Sequence, residues 1–226
     1  DDSIAWQTCL MRWTVFAFLI ALSPRAEACD SPVCLVDPES LDLPRVITFD
    51  DTTAGFGPGY HVENLLVMRG AVFGERFAGQ TVTSQGDHDT VTGSASRPLT
   101  VLPGAPGQNL SVVHFSGNNV LNGYGIAGYP KRNAQGEGAI SFLFDANQSA
   151  LAFQIRGGEA GGAEVAFFNR DGDILAKINL PPPGEHAFGF LRSDGSADIA
   201  GVLLTNTDPQ GLALDNIRFG KIPDMS

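Results

Sequence analysis

Residues 164–180 read EVAFFNRDGDILAKINL, and this stretch decides the fold class. Two apolar segments with alternating side chains, 164–169 and 174–180, flank the four residues RDGD. Asp171-Gly172 supplies the positive φ angles of a tight turn, so the stretch predicts a β-hairpin of two antiparallel strands.

The same pattern of short apolar segments between Gly, Pro, Asn and Asp residues continues along the chain. We predict strands at 46–49, 63–68, 71–73, 110–115, 139–144, 150–155, 164–169, 174–180, 186–191, 199–205 and 212–219. No segment of helical periodicity is long enough to connect parallel strands, so the sheets are predicted to be antiparallel. The prediction is an all-β fold: an antiparallel two-sheet β-sandwich of jelly-roll type over 45–222, with 84–106 forming surface loops and one short strand.

Composition limits the classes of partner. The chain has 226 residues, 25 acidic against 14 basic, a formal net charge of −11 and 43% hydrophobic residues. This apolar content is sufficient for the core of one ordinary domain. The negative charge repels phosphate backbones and the basic residues form no stripe, so we expect no nucleic-acid partner.

Residues 11–28 read MRWTVFAFLIALSPRAEA, the pattern of a secretory signal peptide with a charged start, an apolar run and small residues before Cys29. We expect cleavage before Cys29, which leaves 1–10 as an upstream segment and places the protein outside the cell or in the periplasm. The apolar run is too short to span a bilayer, so no transmembrane segment is expected after cleavage.

Two cysteines follow the predicted cleavage point, Cys29 and Cys34. In an oxidising compartment such a pair predicts a small-loop disulfide that holds the N-terminal lead-in, 29–44. Lipidation of Cys29 is the alternative.

Carboxylates stand at both ends of the predicted sandwich. By the period of two, Asp215 in the last strand shares the core face with Ile217 and Phe219, where an unpaired charge is costly. Asp50 and Asp51 follow the first strand directly. The first and last strands of a jelly roll are often neighbours, so we expect one of these two side chains to meet Asp215.

Asp50, Asp51, Asp215 and Asn216 together provide the oxygen ligands that Ca²⁺ prefers. The sequence therefore predicts a structural calcium site. Two alternatives stay open: a carboxylate capped by backbone amides and by Arg218 or Arg45, and simple solvent exposure.

The segment 117–130, GNNVLNGYGIAGYP, is predicted to be a long loop whose amides and tyrosines suit the recognition of sugar hydroxyls. The candidate ligand-binding residues are Asn118, Asn119, Asn122, Tyr124 and Tyr129. The alternative is a long connection ordered by its own packing.

Two sets of residues are candidates for catalysis. Asp87-His88-Asp89 contains a histidine between carboxylates, which suits a metal ligand or a base, although a solvated turn is the commoner explanation. A carboxylate pair for glycoside hydrolysis is the second possibility, since such enzymes use two carboxyl groups at a defined separation. Its candidates are Glu75, Glu137, Glu159 and Glu164.

Several motifs carry a resemblance to known families. They are AVFGERFAGQTV at 71–82, GDHD at 86–89, PGAPGQNL at 103–110, GEG at 136–138, NRDG at 169–172 and LDNI at 214–217. Together they resemble a family of exported, functionally uncharacterised bacterial proteins that often end in a PEP-CTERM-type sorting tail. The closing-strand motif DNIRF and the motif FDD at 49–51 are similar to calcium-carrying jelly-roll domains, including carbohydrate-binding modules.

The resemblance implies an exported β-sandwich and supplies no established activity. The chain ends in KIPDMS, so sorting by such a tail is not carried over. We predict a secreted, non-enzymatic binding or surface-interaction module with a structural calcium, whose partner is an extracellular glycan or a surface protein. A glycan-binding module is the alternative, and a carboxylate-dependent polysaccharide hydrolase or lyase is the third hypothesis.

Overall fold

The computed structural model describes residues 29–220. The predicted leader, 11–28, and the upstream segment, 1–10, lie outside the described residues, so export stays a prediction. Within 29–220 no helix is both long enough and apolar enough to cross a membrane.

Almost every element of the described chain is a β-strand. The strands are β1 (Val33–Val36), β2 (Arg45–Ile47), β3 (Tyr60–Val62), β4 (Leu66–Met68), β5 (Ala71–Gly74), β6 (Arg76–Phe77), β7 (Thr81–Gln85), β8 (His88–Thr92), β9 (Val101–Leu102), β10 (Leu110–Phe115), β11 (Asn118–Gly123), β12 (Ile140–Gln148), β13 (Ala150–Gly157), β14 (Ala163–Phe168), β15 (Ile174–Leu180), β16 (Ala187–Arg192), β17 (Ile199–Asn206) and β18 (Leu212–Gly220). Two short 3₁₀ helices, Pro38–Ser40 and Arg132–Ala134, complete these elements.

Two large sheets form the body of the protein. The first sheet has the order β1-β16-β13-β18-β11-β10-β3, with β2 paired to β18, and the second has the order β15-β14-β17-β12-β5-β4. The strands of both sheets pair antiparallel. The predicted all-β fold with antiparallel sheets is therefore confirmed.

The two sheets share one hydrophobic core. Phe190 of the first sheet and Phe167 of the second have ring centroids 5.0 Å apart, and Phe219 and Phe144 make a similar contact at 4.9 Å. Buried aromatic rings contribute large apolar areas, so these pairs hold the inner faces of the two sheets together.

The β14–β15 hairpin forms where the sequence predicts it. Gly172 has a φ of 88°, and its amide donates to the Asn169 carbonyl at 3.1 Å. The Asn169 side-chain oxygen accepts from the amides of Asp171 and Asp173 at 3.0 and 2.9 Å. The turn is thus fixed by glycine and by an asparagine side chain.

Two stretches that we expected to be loops contain strands. The segment 117–130 begins with β11, which pairs with β10 on one side and β18 on the other. Its sequence, NNVLNG, has weak strand propensity, and pairing on both sides overrides that preference. The segment 84–106, predicted to be loops with one short strand, contains the end of β7 and the whole of β8 and β9, and β7 and β8 form a hairpin.

A β-bulge in β18 corrects the predicted orientation of Asp215. Ala152 of β13 pairs with Arg218 and Gln154 pairs with Asp215, so one residue of β13 opposes two of β18. Asn216 sits in the bulge with a φ of 47°. The core therefore takes Leu214 before the bulge and Ile217 after it, and Asp215 lies on the opposite, outer face.

The N-terminal lead-in packs on the first sheet. Cys29 and Cys34 are at disulfide distance, with their Cα atoms 5.8 Å apart. Strand β1 follows and pairs with β16, and Leu41 and Leu43 pack against Ala150 and Ala152. The lead-in thereby covers part of the outer face of the first sheet.

Candidate functional site

A groove of about 320 Å³ lies on the outer face of the first sheet. Its floor is apolar, because Val113 of β10, Val120 of β11 and Ala213 of β18 pack together there. Phe115, at the end of β10, lines the groove with 48% of its surface exposed. A groove of this volume with an apolar floor and an exposed ring suits the non-polar face of a ligand.

The strand register places two polar side chains beside this floor. Asn122 of β11 pairs with Ala213, and Ala213 pairs on its other side with Arg156 of β13. Directly paired residues point to the same face of a sheet, so Asn122 and Arg156 lie in one row across three strands. Both side chains line the groove.

Each of these side chains has an unsatisfied polar atom. Asn122 is only 6% exposed, and its Oδ1 has no hydrogen-bond partner among the described residues. The Nε of Arg156 also lacks one within this part of the chain. An unsatisfied buried polar atom costs about 1–3 kcal/mol, so a ligand that supplies the missing partners recovers part of this energy.

Arg156 is surrounded by carboxylates. Its guanidinium lies 3.4 Å from Glu185 and 3.9 Å from Asp215. Asp215 is fully buried, and this burial raises the pKa of its carboxyl although the Asn216 amide, Arg156 and Asn118 act to lower it. The positive charge of Arg156 is therefore balanced inside the groove.

Of the predicted calcium ligands, Asp50 lies near Asp215 and Asn216. Strand β2 pairs with β18, which brings Asp50 close enough for its charge to raise the pKa of Asp215. The Asp50 carboxylate accepts from the Asn119 amide at 2.9 Å. Asp51 is exposed beside it.

The groups around Asp215 are mainly N–H donors. The side-chain amide of Asn118 donates to Asp215, and Asn216 donates to it through its backbone at 2.7 Å and its side chain at 3.1 Å. Ca²⁺ takes six to eight oxygen ligands. Within residues 29–220 no group of three or more His, Cys, Asp and Glu side chains is placed to hold a metal. The arrangement is that of a hydrogen-bonded carboxylate, and calcium stays a prediction.

One predicted ligand-binding residue lines the groove, and others form hydrogen bonds to neighbouring backbone. Asn122 lines the groove, whereas Asn119 donates to the carbonyls of Phe49 and Asp50, at 3.2 Å each, and holds the turn after β2. Tyr124 is fully buried and donates to the Pro58 carbonyl at 3.0 Å.

Tyr129 packs beside this tyrosine. Its ring stacks on His61, with the ring centroids 4.6 Å apart, and its hydroxyl donates to the Gly59 carbonyl at 3.3 Å. Both tyrosines thus pack against the segment that leads into β3.

A second cavity, of about 370 Å³, contains two carboxyl groups that the sequence separates; we name it the acidic pocket. Glu75 and Asp89 both line it. Asp89 accepts from the Ala139 amide at 3.0 Å, and Glu75 accepts from Arg76 at 2.6 Å. Burial raises the pKa of both carboxyls, and that of Asp89 reaches about 7, so Asp89 retains its proton to near neutral pH.

The neighbouring residue in β8, His88, pairs with Glu137. Glu137 is buried, and this burial raises the pKa of its carboxyl despite the nearby histidine. Asp87-His88-Asp89 is therefore the end of a hairpin that docks onto Glu137 and Ala139. No local motif could reveal this cluster, because its members are brought together only by the docking of that hairpin.

The other two acidic candidates lie elsewhere. Glu159 lines the groove, and Glu164 is paired with Lys177 on the surface of the second sheet, at 2.9 Å. The four glutamates proposed from the sequence therefore fall into three separate places.

Comparisons with known proteins give no family. No family model matches the chain, and no curated protein matches it. Among solved structures, it is similar to the crystal structure of the enzymatically active domain of tailspike protein 4 from bacteriophage CBA120, with a TM-score of 0.27 and 16% sequence identity. That match covers 68% of this chain and 19% of the tailspike chain, so the chain spans about a fifth of it. The PEP-CTERM-type and carbohydrate-binding-module resemblances stay predictions.

Proposed function

We propose that this protein is an exported, non-enzymatic binding module that holds a glycan in the groove of its first sheet. The strand order supports a jelly-roll sandwich for its scaffold. The last eight strands divide equally between the two sheets. Their order is β11-β18-β13-β16 in the first sheet and β12-β17-β14-β15 in the second, as in an eight-stranded jelly roll. The leader-like residues 11–28 support export.

The observation that carries the proposal is that unsatisfied polar atoms and an apolar floor lie side by side in one groove. A sugar presents hydroxyl groups at its edge and C–H groups on its face. Asn122 Oδ1 and Arg156 Nε offer an acceptor and a donor to the hydroxyls. Val113, Val120 and Ala213 offer an apolar surface to the ring.

Phe115 adds an aromatic contact at the side of the groove. Its exposed ring can stack on the C–H face of a second sugar unit. In this proposal the ligand lies across β10, β11, β18 and β13. The tyrosines predicted from the sequence support the neighbouring segment and do not form the platform.

A glycan array tests the proposal. The wild-type chain is expected to bind, and Asn122→Ala to bind about 3- to 10-fold more weakly, the equivalent of one hydrogen bond. Phe56→Ala is the control, because Phe56 is 80% exposed and lies outside the groove lining. An array on which the wild type binds nothing would contradict the proposal.

We also propose that a bound Ca²⁺ stabilises the folded protein. Its proposed ligands are Asp50, Asp51, Asp215 and Asn216. The closeness of Asp50 and Asp215 supports this calcium site. The amides that now donate to Asp215 would have to turn to present oxygen. A ligand that binds only the folded state raises the unfolding midpoint. A midpoint that is the same in Ca²⁺ and in chelator would refute the site.

The acidic pocket favours a second candidate function, a carboxylate-dependent polysaccharide hydrolase. Glu75 and Asp89 line one cavity, and a carboxyl with a pKa of about 7 suits a general acid. This candidate predicts that Glu75→Gln lowers the release of reducing ends by at least about 100-fold. Failure of the wild type to cleave any polysaccharide that it binds would eliminate this candidate.

A further inference from the structure

We infer that the groove selects a neutral, hydroxyl-rich saccharide over uronic-acid or sulfated sugars. The inference rests on the proposed function, since it names the class of glycan that the same groove accepts. It follows from two independent features: the charge around Arg156 and the hydrogen-bonding character of Asn122.

Arg156 is the cation that an acidic sugar would need, and its charge is already offset by nearby carboxyl groups. Arg156 lies 3.4 Å from Glu185 and 3.9 Å from the buried Asp215. A sugar carboxylate that approached the free Nε of Arg156 would lie close to the carboxyl groups of Glu185 and Asp215, whose negative charge opposes it. A guanidinium that already lies near two carboxyl groups attracts a third carboxylate less strongly than a guanidinium without such neighbours.

The rest of the groove lining provides no excess of positive charge. Arg132 and Glu159 also line the groove, so its charged side chains are two arginines and two glutamates. The net charge of the whole chain, −11, adds a weak repulsion of polyanions. Salt screens that long-range term beyond about 8 Å, so the local balance decides the selectivity.

Asn122 separates the two ligand classes by a different property. Its unsatisfied atom is Oδ1, which can only accept a hydrogen bond. A sugar hydroxyl donates and accepts, so one hydroxyl can satisfy Asn122 Oδ1 while another accepts from Arg156 Nε. An ionised carboxylate or a sulfate in the place of that hydroxyl only accepts, so it would leave Asn122 Oδ1 without a donor.

Calorimetric titration of the full chain tests the inference. The probes are a neutral oligosaccharide taken from the array and an oligogalacturonate of the same length, both at physiological salt. The neutral ligand is expected to bind at least 10-fold more tightly to the wild type. In Glu159→Gln/Glu185→Gln, which removes two negative charges from the groove, the affinity ratio of uronate to neutral sugar should rise at least 10-fold.

Glu164→Gln is the matched control, because it removes a carboxylate on the second sheet that pairs with Lys177. Its affinity ratio should equal that of the wild type. Tighter binding of the uronate by the wild type would overturn the inference and leave glycan binding standing. A ratio that does not change in the double variant would also overturn it. Absence of binding to both ligands would refute the proposed function itself.

Discussion

Replacing Asp89 with asparagine tests whether the buried carboxyl in the acidic pocket lowers the free energy of unfolding near neutral pH. Asp89 is buried, and its pKa lies near 7 in the folded protein against an ordinary 3.8. Burial is the main cause, and Glu75 and Glu137 add to it. The asparagine side chain would keep an oxygen to accept from the Ala139 amide and would carry no proton to lose.

The sign of the effect follows from proton binding. Between pH 3.8 and about 7 the unfolded chain has released the Asp89 proton and the folded chain retains it. The folded state then binds more protons, so stability falls as pH rises through this window. One pKa unit corresponds to about 1.4 kcal/mol, so Asp89 alone lowers the free energy of unfolding by about 2.5 kcal/mol from pH 5 to pH 8.

Denaturant unfolding at pH 5, 6, 7 and 8 measures this slope. Glu75 and Glu137 also have raised pKa values and are present in both proteins, so the difference between wild type and Asp89→Asn reports Asp89 together with its charge interaction with these two carboxyls. Asp89→Asn should show a shallower slope and higher stability at pH 8. Asp145→Asn, at an exposed position of β12, controls for the loss of one negative charge. A wild-type stability that is flat or rises with pH would refute this reasoning, as would an unchanged slope in Asp89→Asn.

Three further experiments test the packing of the fold. Gly138→Ala should destabilise by about 1–3 kcal/mol, because its new Cβ would lie 2.4 Å from backbone, whereas Gly162→Ala, with 3.7 Å to its nearest atom, should stay within about 0.5 kcal/mol in thermal unfolding. Asn216→Ala should lower the free energy of unfolding by about 2 kcal/mol in chemical unfolding. Alanine would have to adopt the positive φ of the bulge and would lose the side-chain hydrogen bonds to Asp215 and Gln154. A variant as stable as the wild type would contradict the bulge. Replacing Cys29 and Cys34 by serine should cost only about 2 kcal/mol, since the closed loop is short; complete unfolding would contradict this estimate.

The sequence predicts the parts of the fold that depend on local chemistry. The Asp171-Gly172 turn specifies its hairpin, and alternation gives the bounds of β10 and β15 as the structure has them. The expected closeness of Asp50 and Asp215 also follows, because β2 and β18 pair.

The predictions that were wrong concern segments whose structure depends on pairing with strands far along the chain. Strand β11 has little apolar content of its own and becomes a strand because β10 and β18 flank it. The bulge at Asn216 turns Asp215 to the outer face, and a strict period of two cannot reveal an inserted residue.

The candidate site shows the same division. Asn122 was among the predicted ligand-binding residues, whereas Arg156 and Phe115 were not, since they join it only through the order of strands in the first sheet. The meeting of Glu75 and Asp89 likewise requires the docked β7–β8 hairpin.

The central claim is that a neutral saccharide binds between β10, β11, β13 and β18. The most direct measurement is an amide NMR titration of the full chain with a neutral oligosaccharide that the array identifies. We expect saturable shift changes concentrated at Asn122, Arg156 and Ala213, with the Asn122 side-chain amide among the largest. Changes concentrated around Glu75 and Asp89, or no saturable change in the groove, would contradict it.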